Sequence, residues 1–197
     1  MINQAQYLRD GVHQAYSAAA ENPQAEHPFP VGQQFAESLG YPPELLGNLP
    51  AGAVQAFAGV SNVAIFADIP KGATVLDLGC GAGLDSLIAA NRVGSAGRVI
   101  GIDFSESMLA RARQAATEAG LKNIEFHQTD AETLFLENDS IDVVLTNGIF
   151  NLNPARDLIF RELARVVRSE GAVYGAELIL RGPLPPEEQA SETDWFA

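Results

Sequence analysis

The sequence is poor in cysteine and in basic residues, and each shortage excludes a class of protein. Cys80 is the only cysteine among 197 residues, which rules out a disulfide within the chain and a metal site built from several of its thiolates. Lysine and arginine number 12 against 25 acids, for a net charge of −13. So acidic a surface repels phosphate backbones, and nucleic acid is therefore not expected as a partner.

Long apolar runs are lacking as well. A membrane-spanning helix needs about 18 consecutive apolar residues, and a signal peptide needs an apolar stretch near the start of the chain. The sequence contains no such run, and its first ten residues, MINQAQYLRD, are polar. We therefore expect a protein of the cytoplasm that does not bind membranes.

The clearest pattern in the chain lies at residues 74–103. A short β-favouring run at 74–78 is followed by a glycine-rich turn and by helical spacing at 84–93. A second β run, at 98–102, ends on Asp103, twenty positions beyond Gly83. Strand, glycine loop, helix and strand in this order make up half of a nucleotide-binding unit.

The spacing of the glycines argues against a dinucleotide site. The dinucleotide fingerprint is G-x-G-x-x-G, and Leu84 stands where its third glycine belongs. The pattern here is D-x-G-x-G-x-G, from Asp77 to Gly83. Glycines let a backbone approach its ligand closely, and a carboxylate at the tip of the second strand can accept both hydroxyls of a ribose. The carboxylate at the entrance of the loop favours a cationic or zwitterionic ligand over a pyrophosphate, so an NAD-dependent oxidoreductase is disfavoured.

At these residues the sequence resembles the class I S-adenosylmethionine (SAM) dependent methyltransferases. The similar segments are DLGCGAG at 77–83, GID at 101–103 and QTDAETL at 128–134, which look like the first three motifs of that family in order. The resemblance covers roughly residues 50–180.

The resemblance implies how the motifs bind SAM and its product, S-adenosylhomocysteine. The glycine loop would line the methionine and ribose, Asp77 would help to hold the amino group, and Asp103 would accept the ribose hydroxyls. The thiol of Cys80 is expected to pack rather than to react. The cofactor-binding residues implied are Asp77, Gly79, Cys80, Gly81 and Gly83 in the loop, Asp103 at the ribose, Phe104 and Met108 beside the adenine, and Asp130 and Ala131 at the adenine edge.

Within that class the chain is similar to arsenite methyltransferase-like proteins. The shared segments are HPFPVG at 27–32, ESLGYPPELL at 37–46, AGVSNV at 58–63 and TNGIFNLNP at 146–154. Members of that group bind As(III) through cysteine thiolates in segments like the last two. This chain has Val60, Ser61, Gly148 and Ile149 there, so the resemblance does not extend to the arsenic ligands.

The region before the glycine loop is predicted to be helical. Residues 3–21 have apolar positions at helical spacing and end at Asn22-Pro23, and shorter helical segments follow at 33–39 and 44–49. This helical cap either packs on the main domain or covers the active site as a lid.

Two polar loops are candidates for the rest of the site. The first, at residues 59–62, separates two predicted helices, and its Ser61 and Asn62 either line the cofactor site or cap the second helix. The second follows the fourth predicted strand, where ligands of parallel sheets bind. Its Asn147 is expected to bind the cofactor or a polar substrate, whereas Asn151 is equally well explained as a turn former. No metal ligand is predicted, and no catalytic acid or base is identified.

The predicted fold is α/β, a Rossmann-like three-layer sandwich with a mostly parallel sheet in the order 3-2-1-4-5 and an N-terminal helical cap. The third and fourth strands are placed at 123–128 and 140–146, and a turn at 169–171 leads into the fifth, at 172–180. The domains are expected at 1–50 for the cap, 51–181 for the SAM-binding domain and 182–197 for a C-terminal tail.

The number of strands is the main departure from the family. Its sheet has seven strands, and this sequence lacks the last two, which leaves an exposed sheet edge. A truncated chain, a partner that receives Trp195 and Phe196, or a homodimer would each account for that edge.

Methyl transfer from SAM to a small molecule is the function that these observations favour. The reaction is an in-line displacement in which positioning and desolvation lower the barrier, so it needs no dedicated base. Two alternatives remain, an arsenite methyltransferase and a SAM-binding protein without catalytic turnover.

Overall fold

A parallel sheet of five strands lies at the centre of the molecule. The computed structural model describes residues 4–179 and 182. Within them all neighbouring strands are parallel and follow the order β3-β2-β1-β4-β5, so the predicted fold class and strand order are confirmed. The strands are β1 (Thr74–Leu78), β2 (Arg98–Asp103), β3 (Ile124–Gln128), β4 (Ile141–Asn147) and β5 (Val167–Ala176).

Helices cover both faces of the sheet, because the side chains of each buried strand alternate between two cores. Val75 and Val99 share one core with α5 and α6, whereas Leu76 and Ile100 share the other with α8. The helices are α1 (Gln4–Glu21), α2 (Gln33–Ser38), α3 (Pro43–Leu46), α4 (Ala51–Gln55), α5 (Val63–Phe66), α6 (Leu84–Val93), α7 (Glu106–Glu118) and α8 (Arg156–Val166).

The start of β5 differs from the prediction. We expected a turn at residues 169–171, but β5 begins at Val167, directly after α8. The register moves from Ile141 opposite Val167 to Val143 opposite Ala172, so the extra residues of β5 form an irregularity within the strand. The strand ends at Ala176 rather than at residue 180.

The N-terminal helix packs across the molecule onto α7. The hydroxyls of Ser17 and Ser105 lie 3.1 Å apart, and the Arg111 guanidinium donates to the carbonyl of Ala20. These contacts place α1 over the carboxyl ends of the strands. Helix α1 thus packs on the main domain and also borders the cleft described below.

Strand β5 is one of the two edges of the sheet among the described residues, and Val173 on it is 46% exposed. Trp195 and Phe196, which we considered for this edge, lie outside the described residues. Within residues 4–179 no helix is both long and apolar enough to cross a membrane.

Candidate functional site

The loop between β1 and α6 is fastened to the end of β2. The N–H groups of Gly79 and Cys80 both donate to the carbonyl of Ile102, over 2.8 and 2.9 Å. The N–H of Gly81 donates to the side chain of Asp103 over 2.8 Å. The glycine loop and the acid at the tip of β2 therefore form one unit at the carboxyl end of the sheet.

Asp103 is buried, and backbone groups hold its carboxylate on both oxygens. The second oxygen accepts from the N–H of Ser105 over 2.8 Å. Burial raises the pKa of Asp103 from 3.8 to about 6, against the opposing effect of the backbone hydrogen bonds from Ser105, Gly81 and Phe104. Since each carboxylate oxygen can accept more than one hydrogen bond, Asp103 keeps acceptor capacity for a ligand in the cleft.

Asp77, at the entrance of the glycine loop, is also buried and lines the same cleft. The hydroxyl of Ser86 donates to it. Burial raises the pKa of Asp77, the charge of Asp85 raises it further, and the Ser86 hydrogen bond acts in the opposite direction. A cation bound beside Asp77 would stabilise its charged form.

Asn147 binds the loop at residues 59–62 rather than leaving its amide open to the cleft. Its Oδ1 accepts from the N–H groups of Val60 and Ser61 over 2.7 and 3.1 Å. Its Nδ2 donates to the carbonyl of Ser61 over 2.7 Å and to Asp85 over 2.9 Å. The Tyr41 hydroxyl donates to Asp85 over 2.5 Å. An amide has two donors and two acceptor lone pairs, so the protein itself occupies all four positions of Asn147.

The loop residues Ser61 and Asn62 do not line the cleft. Asn62 precedes α5 but makes no capping bond with its side chain, which donates instead to the carbonyl of Gly40 over 3.1 Å. Neither of the two roles considered for these side chains is therefore seen. The loop contributes to the site through Ala58 and Gly59.

Aromatic side chains close one end of the cleft. The rings of His13 and Phe104 are stacked with their centroids 3.9 Å apart, and Tyr16 meets Phe104 edge-on at 6.3 Å. Tyr16 also stacks on Phe29 at 4.5 Å. Burial raises the pKa of the Tyr16 hydroxyl, and the charges of Asp103 and Glu177 add to the rise, so this hydroxyl stays protonated at neutral pH.

An ion pair joins α1 to the loop after β3. Arg9 on α1 pairs with Glu132, whose side chain is only 9% exposed. The neighbouring residues Asp130 and Ala131 line the cleft on the same side as Phe104. Helix α1 thus closes the cleft over the residues that the sequence assigned to the adenine.

Ten of the eleven predicted cofactor-binding residues line this one cleft. Gly83 is the exception, since it has φ +86 at the start of α6, and a Cβ there would lie 3.0 Å from the Cβ of Ala112 on α7. Its position allows α6 and α7 to pack closely. The predicted residues that line the cleft are Asp77, Gly79, Cys80, Gly81, Asp103, Phe104, Met108, Asp130, Ala131 and Asn147.

The motifs did not reveal several other residues of the cleft. Asp85, two residues beyond Gly83, could have been noticed as an acid in the first turn of α6. The side chains of α1 have no local signal beyond helical periodicity. The residues missed include Arg9, Val12, His13 and Tyr16 on α1, Asp85 on α6, and Ile149, Leu152 and Ile159 after β4.

The segments that carry arsenic ligands in the similar group lie side by side here, without a thiol. A Cβ on Gly148 would lie 3.0 Å from Cγ1 of Val60. The thiol of Cys80 is buried in the glycine loop, and burial raises its pKa well above the ordinary value. Among the described residues, no three His, Cys, Asp or Glu side chains are grouped to hold a metal ion.

The cleft is strongly acidic. Four aspartates and Glu132 line it, and its only arginine among the described residues, Arg9, is paired with Glu132. The cleft opens at the carboxyl ends of β1 and β4, where the strand order reverses and ligands of such sheets bind. Fold and site together define a Rossmann-like protein whose cleft suits a nucleoside-containing ligand with positive charge.

Comparison with known proteins identifies the family. The family model of a methyltransferase domain matches residues 69–195. The chain therefore belongs to the SAM-dependent methyltransferases, as its motifs predicted. It is 34% identical over 154 residues to an arsenite methyltransferase of Halobacterium salinarum, covering 78% of this chain and 39% of the relative. It is 37% identical to a phosphatidylethanolamine N-methyltransferase of Cereibacter sphaeroides, covering 61% and 59%.

Solved structures agree with this assignment. The arsenic (III) SAM methyltransferase of Chlamydomonas reinhardtii superposes with a TM-score of 0.69 at 28% identity, over 78% of this chain and 56% of that one. A SAM-dependent methyltransferase of Aquifex aeolicus gives a TM-score of 0.53 at 27% identity, over 61% and 66%. The chain spans less than two fifths of the length of two arsenite methyltransferases to which it is similar, 39% of that of Halobacterium salinarum and 37% of that of Aquipseudomonas alcaligenes.

Proposed function

We propose that this chain binds SAM in the cleft and transfers its methyl group to a small molecule. The observation that carries the proposal is the placement of Asp103 at the tip of β2, bound by the N–H groups of Gly81 and Ser105 over 2.8 Å each. This arrangement fixes a carboxylate, with free acceptor capacity, next to a glycine loop. A ribose with two free hydroxyls fits that chemistry.

The other residues of the cleft fit the rest of SAM. Asp77 would hold the amino group, and the excess of carboxylates favours a ligand with a sulfonium and an ammonium. Phe104 and Met108 offer apolar surfaces for the adenine, and Asp130 with Ala131 lies near enough to read its edge. S-Adenosylhomocysteine lacks the sulfonium charge, so the acidic cleft should bind it less tightly than SAM where the acids are ionised.

SAM supplies a methyl group on a positively charged sulfur. The lone pair of the acceptor forms a bond to the methyl carbon as the carbon–sulfur bond breaks in line with it, and S-adenosylhomocysteine leaves. The protein contributes position and the exclusion of water. Tyr16 stays protonated and can donate a hydrogen bond but cannot take a proton from the acceptor. An acceptor with a proton to lose therefore passes it to another group, either a carboxylate of the cleft or solvent.

We assign the acceptor to a largely apolar part of the cleft wall, which we call the acceptor end. Ile149, Leu152 and Ile159 line it with Ala58, and Asn153 is the polar side chain among them. The Oδ1 of Asn153 accepts from the N–H of Ala155 over 2.7 Å. We infer that the acceptor is a small molecule with an apolar body, and not a nucleic acid, which the acidic surface would repel.

Arsenite is the second candidate acceptor, because a relative that covers 78% of the chain is an arsenite methyltransferase. The side chains at Val60 and Ile149 offer no thiolate for As(III). Incubation with arsenite, glutathione and SAM decides the question. Methylated arsenic in the product would establish this alternative, and its absence alongside methylation of another acceptor would exclude it.

The organisation of the chain is part of the same proposal. We assign residues 1–50 to a helical cap, 51–181 to the SAM-binding domain and 182–197 to a tail. A homodimer that covers the β5 edge and a location in the cytoplasm are further predictions. Sedimentation velocity and cell fractionation test them.

Calorimetric titration tests the cofactor directly. Wild-type protein should bind SAM and S-adenosylhomocysteine saturably, and Asp103→Ala should lose both. Asp68→Ala is the matched control, since Asp68 is exposed and does not line the cleft. A protein that binds SAM but methylates no acceptor in a screen with labelled SAM would instead be a SAM-binding protein without turnover. A folded wild-type protein that binds neither ligand would refute the proposal.

A further inference from the structure

A carboxylate from the end of β5 binds the loop that forms one wall of the cleft. Oε1 of Glu177 accepts from the N–H groups of Ile149 and Phe150 over 2.8 and 3.0 Å, and its Oε2 accepts from the N–H of Asn151 over 3.3 Å. Successive backbone N–H groups that converge in this way form a binding site for an anion. Here the chain supplies the anion itself.

The loop held by Glu177 supplies four residues to the cleft. Gly148, Ile149, Leu152 and Asn153 line it. Ile149 lies directly against the glycine loop, because a Cβ on Gly79 would overlap its side chain. The position of this wall relative to the glycine loop therefore depends on how the loop is attached to β5.

The loop is attached through hydrogen bonds to two successive residues, Ala176 at the end of β5 and Glu177 directly after it. The N–H of Gly148 donates to the carbonyl of Ala176 over 2.9 Å, which continues the ladder between β4 and β5. Beyond that bond the ladder stops, and the Glu177 carboxylate takes over the next three N–H groups. Hydrogen bonds to an ionised acceptor are stronger than those between neutral groups.

The charge of Glu177 also reaches the opposite wall. After burial and Asp103, it is the third cause of the raised pKa of Tyr16 on α1.

We propose that Glu177 is a positioning residue, whose carboxylate holds residues 148–153 against the glycine loop and so sets the shape of the acceptor end of the cleft. The assignment of this part of the cleft to the acceptor rests on the proposed function. The attachment of the loop is a property of the protein without ligand and can be tested separately.

Amide hydrogen exchange measured by NMR tests the attachment. In Glu177→Ala we expect exchange at Ile149, Phe150 and Asn151 to accelerate by at least about tenfold, since each loses a bond to a charged acceptor. Glu177→Gln keeps one carbonyl oxygen, which can serve the first two amides, so we expect faster exchange chiefly at Asn151. Glu170→Ala, at an exposed position of β5, should change none of them.

Two exchange results would overturn the proposal. One is unchanged exchange at the three amides in Glu177→Ala. The other is an increase of similar size throughout β1 and β4, because a general loss of stability accelerates exchange everywhere rather than at one loop.

The methyl signals of Ile149 test the consequence for the site. In wild-type protein and in Glu170→Ala, S-adenosylhomocysteine should shift these signals, which Ile149→Val identifies by their loss. In Glu177→Ala we expect calorimetry to show unchanged affinity, with the Ile149 shift diminished. Affinity lost to the extent seen in Asp103→Ala would overturn the proposal, because Glu177 would then support the cofactor site itself. If the wild type does not bind the ligand, the proposed function fails, and the exchange experiment still decides the role of Glu177.

Discussion

The side-chain amide of Asn147 donates a hydrogen bond of 2.9 Å to the carboxylate of Asp85. This bond joins the end of β4 to the first turn of α6. Because Asn147 also binds the N–H groups of Val60 and Ser61, one side chain connects three segments around the cleft. The amide atoms of Asn147 therefore hold the wall of the cleft together and are not available to bind a ligand.

Replacement of Asn147 by alanine removes all four hydrogen bonds at once and leaves buried groups without partners. We expect Asn147→Ala to lower the free energy of unfolding by about 2–4 kcal/mol and to weaken SAM binding, because the loop with Ala58 and Gly59 is released. Urea unfolding and calorimetry measure the two effects. Asn48→Ala, at an exposed position, is the control. Full stability in Asn147→Ala would show that the loop is held by other contacts.

The hydroxyl of Tyr41 and the carboxylate of Asp85 form a buried pair at 2.5 Å. Burial raises the pKa of Tyr41 and also that of Asp85, whose pKa the Tyr41 hydrogen bond lowers. In a double-mutant cycle of Tyr41→Phe and Asp85→Asn, we expect a coupling energy of about 1–3 kcal/mol in the free energy of unfolding. Additive effects of the two changes would mean that this hydrogen bond contributes nothing to stability.

The sequence predicted best the elements whose signals are local. The bounds of β1 and α6 follow from a β-favouring run, a glycine turn and a helical period that succeed one another. Most of the residues predicted to bind the cofactor lie in or beside these stretches, and ten of the eleven line one cleft.

The contacts that the sequence did not predict join residues far apart in the chain. The bond from Tyr41 to Asp85 spans 44 positions, and the bonds from Glu177 to the loop at Ile149 span about 28. No periodicity marks such pairs, because they depend on how the helices and strands pack. The start of β5 was misplaced for a similar reason. Its irregular register depends on its pairing with β4, where Val167 lies opposite Ile141, 26 positions earlier in the chain.

Alanine substitutions at Gly79 and Gly72 distinguish two causes of lost stability, an unfavourable backbone conformation and a close contact. Both have positive φ, +76 and +80, but a Cβ on Gly79 would overlap Ile149, whereas nothing lies within 4 Å of one on Gly72. We expect Gly72→Ala to cost about 1–2 kcal/mol of stability without changing SAM binding. Gly79→Ala should cost more and weaken SAM binding as well.

The double variant Gly79→Ala with Ile149→Ala tests the contact itself. It removes the overlap but not the unfavourable φ, so we expect part of the lost stability to return. If it is no more stable than Gly79→Ala alone, the contact with Ile149 is not the source of the extra cost.

Burial of Asp103 makes the stability of the ligand-free protein depend on pH. Its pKa rises from 3.8 to about 6 on folding, so between these values the folded state holds a proton that the unfolded chain has released. Stability from this group therefore falls as pH rises from about 4 to about 6, by an amount of order 3 kcal/mol. The free energy of unfolding, measured with urea at several pH values, should therefore fall less steeply with pH in Asp103→Asn than in wild type. If both proteins show the same dependence on pH, Asp103 is ionised over this whole range.

The stack of His13 on Phe104 predicts that cofactor binding moves α1. The ring centroids are 3.9 Å apart, whereas a base inserted between two rings needs about 7 Å, twice the usual contact distance between carbon atoms. If the adenine packs on this face of Phe104, it must displace His13. We expect His13→Ala to bind SAM more tightly, by a factor between about two and ten, since it removes a stack worth about 0.5–1.5 kcal/mol. His27→Ala is the control, because His27 stacks on Phe29 and does not line the cleft. Weaker binding by His13→Ala in calorimetry would show instead that His13 forms part of the wall around the bound cofactor, and that the adenine occupies another surface.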